Sequence, residues 1–281
     1  MAVDEYVQAR PAPALRPYVA RYSGYRQAGI APGTHRGLPS PYLTLIFTLE
    51  DPLVVAAHPD PRQDPGRYAA LLGGLHLTPA MITHDGFQSG VQVALHPLGC
   101  RALLGLPAGE LAALDLDAGD VLGDAVVERI RERLRSAATW PQRFAAVEAE
   151  LGRRLRPGAE THSGVAWAFR RLVETGGAAG VAALARETGW SARHLTNRFR
   201  LETGLGVKEA ARVIRFDRAR RRLRPGMRLA ELAADAGYFD QAHLAREFRA
   251  LAGCPPSRWL AEEIGFVQAA QAVADHDGVH D

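Results

Sequence analysis

The stretch that decides the fold spans residues 181–204 and reads "VAALARETGWSARHLTNRFRLETG". A second stretch, residues 229–253, begins 48 residues later and reads "LAELAADAGYFDQAHLAREFRALAG". When the two are aligned, Gly189 matches Gly237 and Gly204 matches Gly253, and the second copy has one extra residue in its turn. A repeat of this kind indicates two copies of one supersecondary unit.

Each copy has the pattern of two short helices joined by a glycine turn. Gly189 and Gly237 can adopt a positive φ, which ends the first helix and allows a sharp turn. Ser191 and Asp240 are favourable N-caps for the second helix. The apolar residues lie at i, i+3, i+4 spacing in each first helix and at i, i+4 spacing in each second helix: Val181, Leu184, Ala185, Leu195 and Phe199, and then Leu229, Leu232, Ala233, Leu244 and Phe248.

Two short helices, a tight turn and a polar second helix describe a helix-turn-helix, whose second helix fits the major groove of DNA. Between the copies, residues 206–226 predict a linker helix with a buried stripe at Val207, Ala211, Ile214 and Ala219 or Leu223. Roughly 18 helical residues would make a rod of about 27 Å, which could hold two reading helices near one turn of DNA apart. The arginine run 220–222 is interpreted as a solvated helix surface near phosphates.

Charge is distributed unevenly along the chain, although its net value is only +3. Residues 181–263 contain fifteen Arg and one Lys against ten acidic residues, a net charge of +6. The rest of the chain is therefore mildly acidic. This asymmetry favours a polyanion as the partner of the C-terminal part, although a solvated arginine surface would give the same count.

Residues 163–263 resemble the DNA-binding domain of AraC/XylS-type transcription regulators. The resemblance rests on the tandem motif, the linker helix and the closing "GCPPSRWL", in which Gly253, Pro256 and Trp259 keep the family pattern. It implies double-stranded DNA as a partner, with RNA polymerase as a further one.

The resemblance also implies which side chains meet DNA. Base contacts are expected from exposed positions of each second helix: Arg193, Thr196, Asn197, Gln241, Ala242, His243 and Ala245. Phosphate contacts are expected from Arg200, Arg246, Arg249 and His194. Arginine can pair with guanine, and Asn or Gln with adenine, whereas alanine offers only apolar contact with a thymine methyl group. The second copy is therefore expected to contribute mainly positioning.

The N-terminal half has a different pattern. Its first 40 residues are rich in Pro, Gly and Tyr and are interpreted as irregular. Apolar runs at 42–49, 53–57, 68–77 and 88–96 predict strands. Two amphipathic helices follow, with apolar faces at Val127, Ile130 and Leu134, and at Phe144, Val147, Leu151 and Leu155. These helices could pack on their own sheet or form a dimer contact.

Residues 15–155, which include "LRPYVARYSGY" and "GVQVALHPLGC", loosely resemble the cupin-like sensor domain that often accompanies this DNA-binding domain. We therefore predict an α+β chain: an N-terminal β-barrel-like domain with flanking helices, and an all-α C-terminal domain of two helix-turn-helix units joined by a linker helix. The expected boundaries are 1–155 for sensing and dimerisation, 156–162 for a linker, 163–264 for DNA binding and 265–281 for a tail. A small-molecule effector and a homodimer are implied.

A metal-dependent cupin enzyme is the alternative, because five histidines lie in this half: His35, His58, His76, His84 and His96. His76 and His84 could meet across strands, but no tight His-x-His pair with a nearby Glu is present. No catalytic frame is recognisable, and we expect neither a bound metal nor a cofactor. A constitutive DNA-binding regulator, whose N-terminal domain only dimerises or contacts polymerase, remains a further alternative.

The location of the protein is predicted from simple features. The N-terminus lacks the basic-then-apolar pattern of a signal peptide, and the run "YLTLIFTL" is too short to span a bilayer. The two cysteines, Cys100 and Cys254, are too few for a disulfide framework and are interpreted as reduced thiols, with Cys100 buried. These features predict a cytoplasmic protein with no membrane partner.

Overall fold

A computed structural model describes residues 3–156, 158–159 and 161–263 of the chain. The expected tail, residues 265–281, lies outside the described residues, as do two positions of the expected linker. An antiparallel β-rich part comes first and is followed by helices, so the predicted α+β class is confirmed.

The strands of the N-terminal part form two antiparallel sheets. Within the described residues, the strand order is β1-β2-β9-β4-β7-β10 in the larger sheet and β3-β8-β5-β6 in the smaller one. The strands are β1 Val3–Ala9, β2 Val19–Ala28, β3 Gly33–Gly37, β4 Leu43–Thr48, β5 Leu53–Ala57, β6 Gly66–Tyr68, β7 Ala70–Gly73, β8 Ala80–His84, β9 Phe87–Leu95 and β10 Asp115–Asp117. A small apolar cluster lies between the sheets and joins Ile46 and Leu71 of the larger sheet to Val55 and Ile82 of the smaller one.

The interpretation of the first 40 residues as irregular is wrong, because they form β1, β2 and β3. Strand β2 has polar and aromatic residues on both faces, which hides the usual alternation. Its Tyr22 stacks on Phe144 at 5.8 Å between ring centroids, whereas Arg21 and Tyr25 face a cavity between the sheets. Polar residues suit this strand because the face that they occupy lines a cavity.

The single strand expected at 68–77 is also wrong. The chain there changes sheets at Ala69: β6 pairs with β5 in the smaller sheet, and β7 pairs with β4 in the larger one. A continuous apolar run cannot reveal such a change, because β7 is buried and Tyr68 of β6 packs, partly buried, against the apolar cluster between the sheets.

The helices are α1 Cys100–Leu104, α2 Ala118–Leu122, α3 Asp124–Ser136, α4 Trp140–Arg154, α5 Ser163–Glu174, α6 Val181–Thr188, α7 Ala192–Thr203, α8 Val207–Arg222, α9 Leu229–Ala236, α10 Gln241–Ala252 and α11 Pro256–Glu262. Helices α3 and α4 are the two expected amphipathic helices, and their apolar faces are buried in the main core. The carboxylate of Glu150 is buried between them and forms ion pairs with Arg129, Arg133 and Arg153. These charges are therefore paired within one chain, and a dimer contact stays a prediction.

Helix α8 is the centre of the C-terminal part. It contacts α5, α7, α9 and α10, and it is buried on more than the single stripe that the sequence predicted. Phe216, which was not assigned to that stripe, is fully buried and packs edge-on against Phe248 with ring centroids 5.0 Å apart. Because α8 touches both helix-turn-helix units, a displacement of α8 would reach both of them.

Candidate DNA-reading helices and interdomain cavity

The first helix-turn-helix consists of α6 and α7. Helix α6 ends at Gly189, whose φ of 71° is the left-handed conformation that glycine adopts without strain. Ser191 then caps α7, and its hydroxyl accepts a hydrogen bond from the backbone N–H of His194 at 3.2 Å. Leu195 and Phe199 are completely buried, so they fix which face of α7 points outward.

The second helix-turn-helix, α9 and α10, repeats this construction. Gly237 has a φ of 80°, and the carboxylate of Asp240 accepts from the backbone N–H of His243 at 2.6 Å. Leu244 and Phe248 are completely buried. The two units thus share their turn, cap and core positions, although their sequences differ on the outer face.

The side chains predicted to contact bases lie on these outer faces. Arg193, Asn197, Gln241 and Ala242 are exposed, while Thr196, His243 and Ala245 are partly buried. The Thr196 hydroxyl donates to the Ala192 carbonyl at 2.8 Å within its own helix. An exposed guanidinium and exposed amides on the first two turns of the second helices have the groups required for base recognition.

Both helix-turn-helix histidines pack on the aromatic residue of their turn. The ring of His194 lies 4.8 Å from that of Trp190, and the ring of His243 lies 5.3 Å from that of Tyr238. The extra residue in the second turn, Phe239, is 93% exposed. Sequence comparison located the insertion but did not identify it as an exposed aromatic beside the reading helix.

The arginines predicted to contact phosphates differ in their surroundings. Arg200 pairs with Glu209 at 3.0 Å, and Glu209 also accepts from the backbone N–H of Gly206 at the start of α8. Arg246 and Arg249 are exposed on α10, and no ion pair restrains either among the described residues.

The N-terminal part contacts the far ends of these helices. Arg101 forms two hydrogen bonds, at 2.8 and 3.0 Å, with the buried carboxylate of Glu202 near the end of α7. A methyl group on Gly109 would lie 2.2 Å from the Leu201 carbonyl oxygen, so the two parts are in close backbone contact there. At α11, Arg36 donates to Glu262 at 2.5 Å through its guanidinium. The outward faces of α7 and α10 are left uncovered by these contacts.

A cavity of about 390 Å³ lies between the two sheets and reaches the C-terminal helices. Its apolar lining comes mainly from the facing sheets: Ile46, Leu53, Val55, Leu71, Ala80 and Ile82. Residues of α8 and α11 or just beyond them also line it: Arg220, Arg221, Arg224, Trp259 and Glu263. A single ligand in this cavity would touch both parts of the molecule.

Three arginines surround one carboxylate at the helical end of the cavity. Arg220 donates to one oxygen of Asp217 at 2.5 Å and Arg221 to the other at 2.7 Å. Burial and then the charge of Arg221 lower the pKa of Arg21, which comes from β2. Although burial opposes it, the charges of Arg220 and Arg221 hold the pKa of Asp217 below its ordinary value. This end of the cavity therefore carries excess positive charge.

This arrangement corrects the interpretation of the run 220–222 as a solvated surface near phosphates. Arg220 and Arg221 face the cavity, and the Arg220 Nε–H is buried with no hydrogen-bond partner among the described residues. Arg222, which lies near Asp235, stays on the open surface, and Arg221 lines the cavity with 44% of its side chain still exposed. The helical period of α8 is responsible, because adjacent residues point about 100° apart.

Behind the other end of the cavity lies a hydrogen-bonded chain of polar groups that ends at Asp115. Tyr68 OH donates to Nε2 of His58 at 3.3 Å, and Nδ1 of His58 donates to the carboxylate of Asp115 at 2.8 Å. Gln63 holds the backbone of Asp115 through two hydrogen bonds, at 2.9 and 3.1 Å. Asp115 and the nearby His76 both line the cavity.

The structure does not pair His76 with His84 across strands. His84 lies beside His35 instead, with ring centroids 6.0 Å apart, because β8 pairs with β3. Burial, and then the neighbouring His84, lower the pKa of His35 to about 4. Among the described residues, no group of three or more His, Cys, Asp and Glu is arranged to hold a metal ion.

Cys100 is completely buried, as the sequence predicted. Burial raises the pKa of its thiol to about 12. A thiol in that environment is protonated and shielded, which disfavours a redox-sensing role. No helix within the described ranges is both long and apolar enough to cross a membrane.

Comparison with known proteins supports both halves of this description. Residues 184–262 match the family model of a helix-turn-helix domain, and residues 7–117 match a domain of unknown function (DUF6597). A structure of ToxT from Vibrio cholerae at 1.65 Å resolution has a TM-score of 0.53 and 10% sequence identity, covering 86% of this chain and 97% of that chain.

A second ToxT structure from Vibrio cholerae, bound to (E)-4-(8-methylnaphthalen-1-yl)but-3-enoic acid, has a TM-score of 0.50 and 10% identity and covers 93% of this chain and 98% of that chain. A search of the curated proteins finds no match.

The duplicated unit and the matching family model show that the C-terminal part carries an AraC-type helix-turn-helix domain. It follows an N-terminal DUF6597 domain, and the fold of the chain is similar to that of ToxT. The helix-turn-helix domain supports a DNA-binding regulator and not the cupin-type enzyme alternative.

Proposed function

We propose that the protein is a sequence-specific transcription regulator whose DNA binding is controlled by an apolar, anionic small molecule in the interdomain cavity. The observation that carries this proposal is that residues of both sheets and of α8 line one cavity with a positively charged end. A ligand that changes the position of α8 changes the support of both reading helices.

DNA recognition is assigned to the outward faces of α7 and α10. Arg193 and Asn197 supply donors and acceptors for bases in the first unit, with Thr196 beside them. In the second unit Gln241 is the main polar reader, while Ala242 and Ala245 contact thymine methyl groups and His243 lies at the edge. Arg200, Arg246, Arg249 and His194 contact phosphates and set the register.

The chemistry of the effector follows from the lining of the cavity. The arginine cluster favours a carboxylate or another anion, and the aliphatic side chains between the sheets favour an apolar body. The acid in the second ToxT structure combines these two features. Arg21 from the sheet and Arg220 from the helix would bind one anionic group together.

Such a ligand would act by shifting a population. The excess positive charge on Arg21, Arg220 and Arg221 favours separation of β2 from α8 when the cavity is empty, and a bound anion draws them together. A ligand shifts the balance of two conformations only by its difference in affinity for them. The affinity for DNA would then differ between the closed and the open cavity, and the ligand would change it by the factor that couples the two binding sites.

We further propose that the protein acts as a cytoplasmic homodimer in a bacterium, with RNA polymerase as a further partner. The predicted boundaries at 155 and 163 separate the sensing part from the DNA-binding part. Pairing of chains through α3 and α4 remains part of this proposal, and analytical ultracentrifugation of the purified chain tests it.

The test begins with selection of bound sequences from random duplexes, followed by affinity measurements with and without decanoic acid as a probe. We expect a selected site, a steep loss of affinity with salt because roughly 6–10 phosphates are contacted, and a changed affinity when decanoic acid is present. Arg21→Gln should abolish the response to decanoic acid. Arg26→Gln is the matched control, since Arg26 lies on the same strand and pairs with Glu50 on the surface.

The outcomes separate the alternatives. No selected sequence and a flat salt response would contradict DNA recognition itself. A selected site whose affinity ignores the acid would instead indicate the constitutive regulator.

A further inference from the structure

The end of the cavity opposite the arginines has its own recognition chemistry, whose role in binding an effector rests on the proposed function. The strand register places both ends on one row across the larger sheet. Arg21 on β2 pairs with Ala94, Ala94 with Thr44, Thr44 with Gly73, and Gly73 with Asp115 on β10. Four strand spacings of about 4.8 Å separate the backbones of Arg21 and Asp115 by roughly 19 Å along the sheet.

The carboxylate of Asp115 is held in place through one oxygen, while its other oxygen accepts no hydrogen bond from the described residues. Its side chain is 7% exposed, and Oδ2 accepts the hydrogen bond from His58. Oδ1 lies over Gly73, where an added methyl group would come within 2.8 Å of it. No hydrogen bond to Oδ1 is formed by the described residues, although Gly73 beneath it lines the cavity. Oδ1 is not one of the fully buried unpaired atoms, so it is open to the cavity, where a ligand or water can supply its donor.

His76 provides a second acceptor at the same end. Its Nδ1 donates to the Thr78 carbonyl oxygen at 2.6 Å, which places the ring proton on that nitrogen. Burial lowers the pKa of His76, although the hydrogen bond to Thr78 and the charge of Asp115 oppose it. The neutral ring leaves Nε2 as an acceptor.

Asp115 and His76 therefore offer two acceptors at this end, whereas the opposite end carries arginines. We propose that Asp115 and His76 form a subsite for a hydrogen-bond donor, so that the effector is an apolar acid with an ammonium or hydroxyl group at its far end. The acid binds near Arg21 and Arg220, the aliphatic body lies between the sheets, and the donor reaches Asp115. Gly73 leaves the space that this contact requires.

The wild-type protein tests this with ligands of one chain length. Calorimetry would compare decanoic acid, ω-hydroxydecanoic acid, ω-aminodecanoic acid and sebacic acid, which carries a carboxylate at each end. A ten-carbon chain extends to about 12 Å. This length suits the backbone separation of Arg21 and Asp115, because the side chains of these two residues shorten the distance that the ligand has to span. We expect the amino or the hydroxy acid to bind at least tenfold more tightly than decanoic acid, and sebacic acid to bind more weakly than either.

An isosteric variant locates the preference. Asp115→Asn keeps the shape of the side chain but removes the negative charge, and it should abolish the advantage that ω-aminodecanoic acid has over decanoic acid. Asp64→Asn, an exposed carboxylate in the neighbouring loop, is the control and should leave that advantage unchanged. His76→Gln should weaken the preference for a terminal donor group in part, because the substitution displaces one of the two acceptors.

The results distinguish the two proposals. If decanoic acid binds as tightly as its amino and hydroxy derivatives in the wild-type protein, the donor subsite is wrong and the effector proposal stands. If no acid in the series binds, the effector proposal itself is wrong. If ω-aminodecanoic acid binds more tightly than ω-hydroxydecanoic acid, the donor group of the effector is an ammonium. If the order is reversed, the donor group is a hydroxyl. The ligand series in the wild-type protein decides the matter even if the Asp115 variant does not fold.

Discussion

The two helix-turn-helix units of this protein have the same interior and different exteriors. In both, a glycine with positive φ ends the first helix, a side-chain cap begins the second, and a leucine and a phenylalanine are completely buried. On the outer face, the first unit presents Arg193 and Asn197, whereas the second presents Ala242 and an exposed Phe239.

Their connections to the rest of the chain differ as well. The reading helix α7 is tied to the N-terminal part through the Arg101–Glu202 pair and close backbone contact at Gly109. The reading helix α10 comes near that part just past its end, where a methyl group on Gly253 would lie 3.6 Å from Pro79. The comparison shows that the buried positions maintain the helix-turn-helix fold in both units. The exposed positions and the contacts at the helix ends differ between the units.

The largest expected difference concerns sequence preference. Arg193→Ala should weaken binding by about 1–3 kcal/mol at one base pair and relax the preference there. Ala242→Gly removes only a methyl group and should change affinity by less than about 1 kcal/mol. Binding measured on a panel of single-base variants of the selected site checks both. Equal weakening on every duplex would show that Arg193 contacts phosphate.

The turns should respond alike, because their interiors match. Gly189→Ala and Gly237→Ala should each destabilise the fold by roughly 1–2 kcal/mol, since a side chain is strained at positive φ. No atom lies within 4 Å of the added methyl group at either position, so the backbone alone is responsible. Gly152→Ala, in α4 and equally free of neighbours, should instead stabilise the fold by about 0.5–1 kcal/mol. Urea denaturation of the three variants measures whether each substitution raises or lowers the free energy of unfolding.

The two caps should differ in strength. Ser191→Ala and Asp240→Ala each remove a hydrogen bond at a helix N-terminus, at a cost of about 1 kcal/mol. The loss should be larger for Asp240, because a carboxylate forms a stronger bond and also interacts with the helix dipole. Denaturation at pH 7 compares them.

The smallest effect is expected in the response to salt. Arg246→Ala should reduce the slope of log affinity against log salt concentration by about 0.9, as expected for one lost phosphate contact. Arg200→Ala should reduce it by less, because Glu209 already pairs with that guanidinium at 3.0 Å. Arg26→Ala provides the baseline. A larger slope change for Arg200 than for Arg246 would show that the first unit, rather than the second, makes the stronger phosphate contact.

Much of the C-terminal part could be predicted from sequence because its determinants are local. The capping residues, the turn glycines and the i, i+4 apolar spacing each act within a few residues of one another. The N-terminal strands at 1–40 were missed because Arg21 and Tyr25 face a cavity, which breaks the alternation that marks a half-buried strand. The candidate effector site was missed for a related reason, since Arg21 and Arg220 are 199 positions apart in the chain.

The sequence by itself determined that two helix-turn-helix units exist, where each one turns and which face of each reading helix is apolar. Those properties depend on backbone preference and helical period, which neighbouring residues set. Only the tertiary structure decided that Arg220 and Arg221 face a cavity, that Arg21 joins them, and that Asp115 lies at the opposite end of the same row. Strand pairing and packing of α8 against the sheets bring these residues together, and no local pattern encodes such distant contacts.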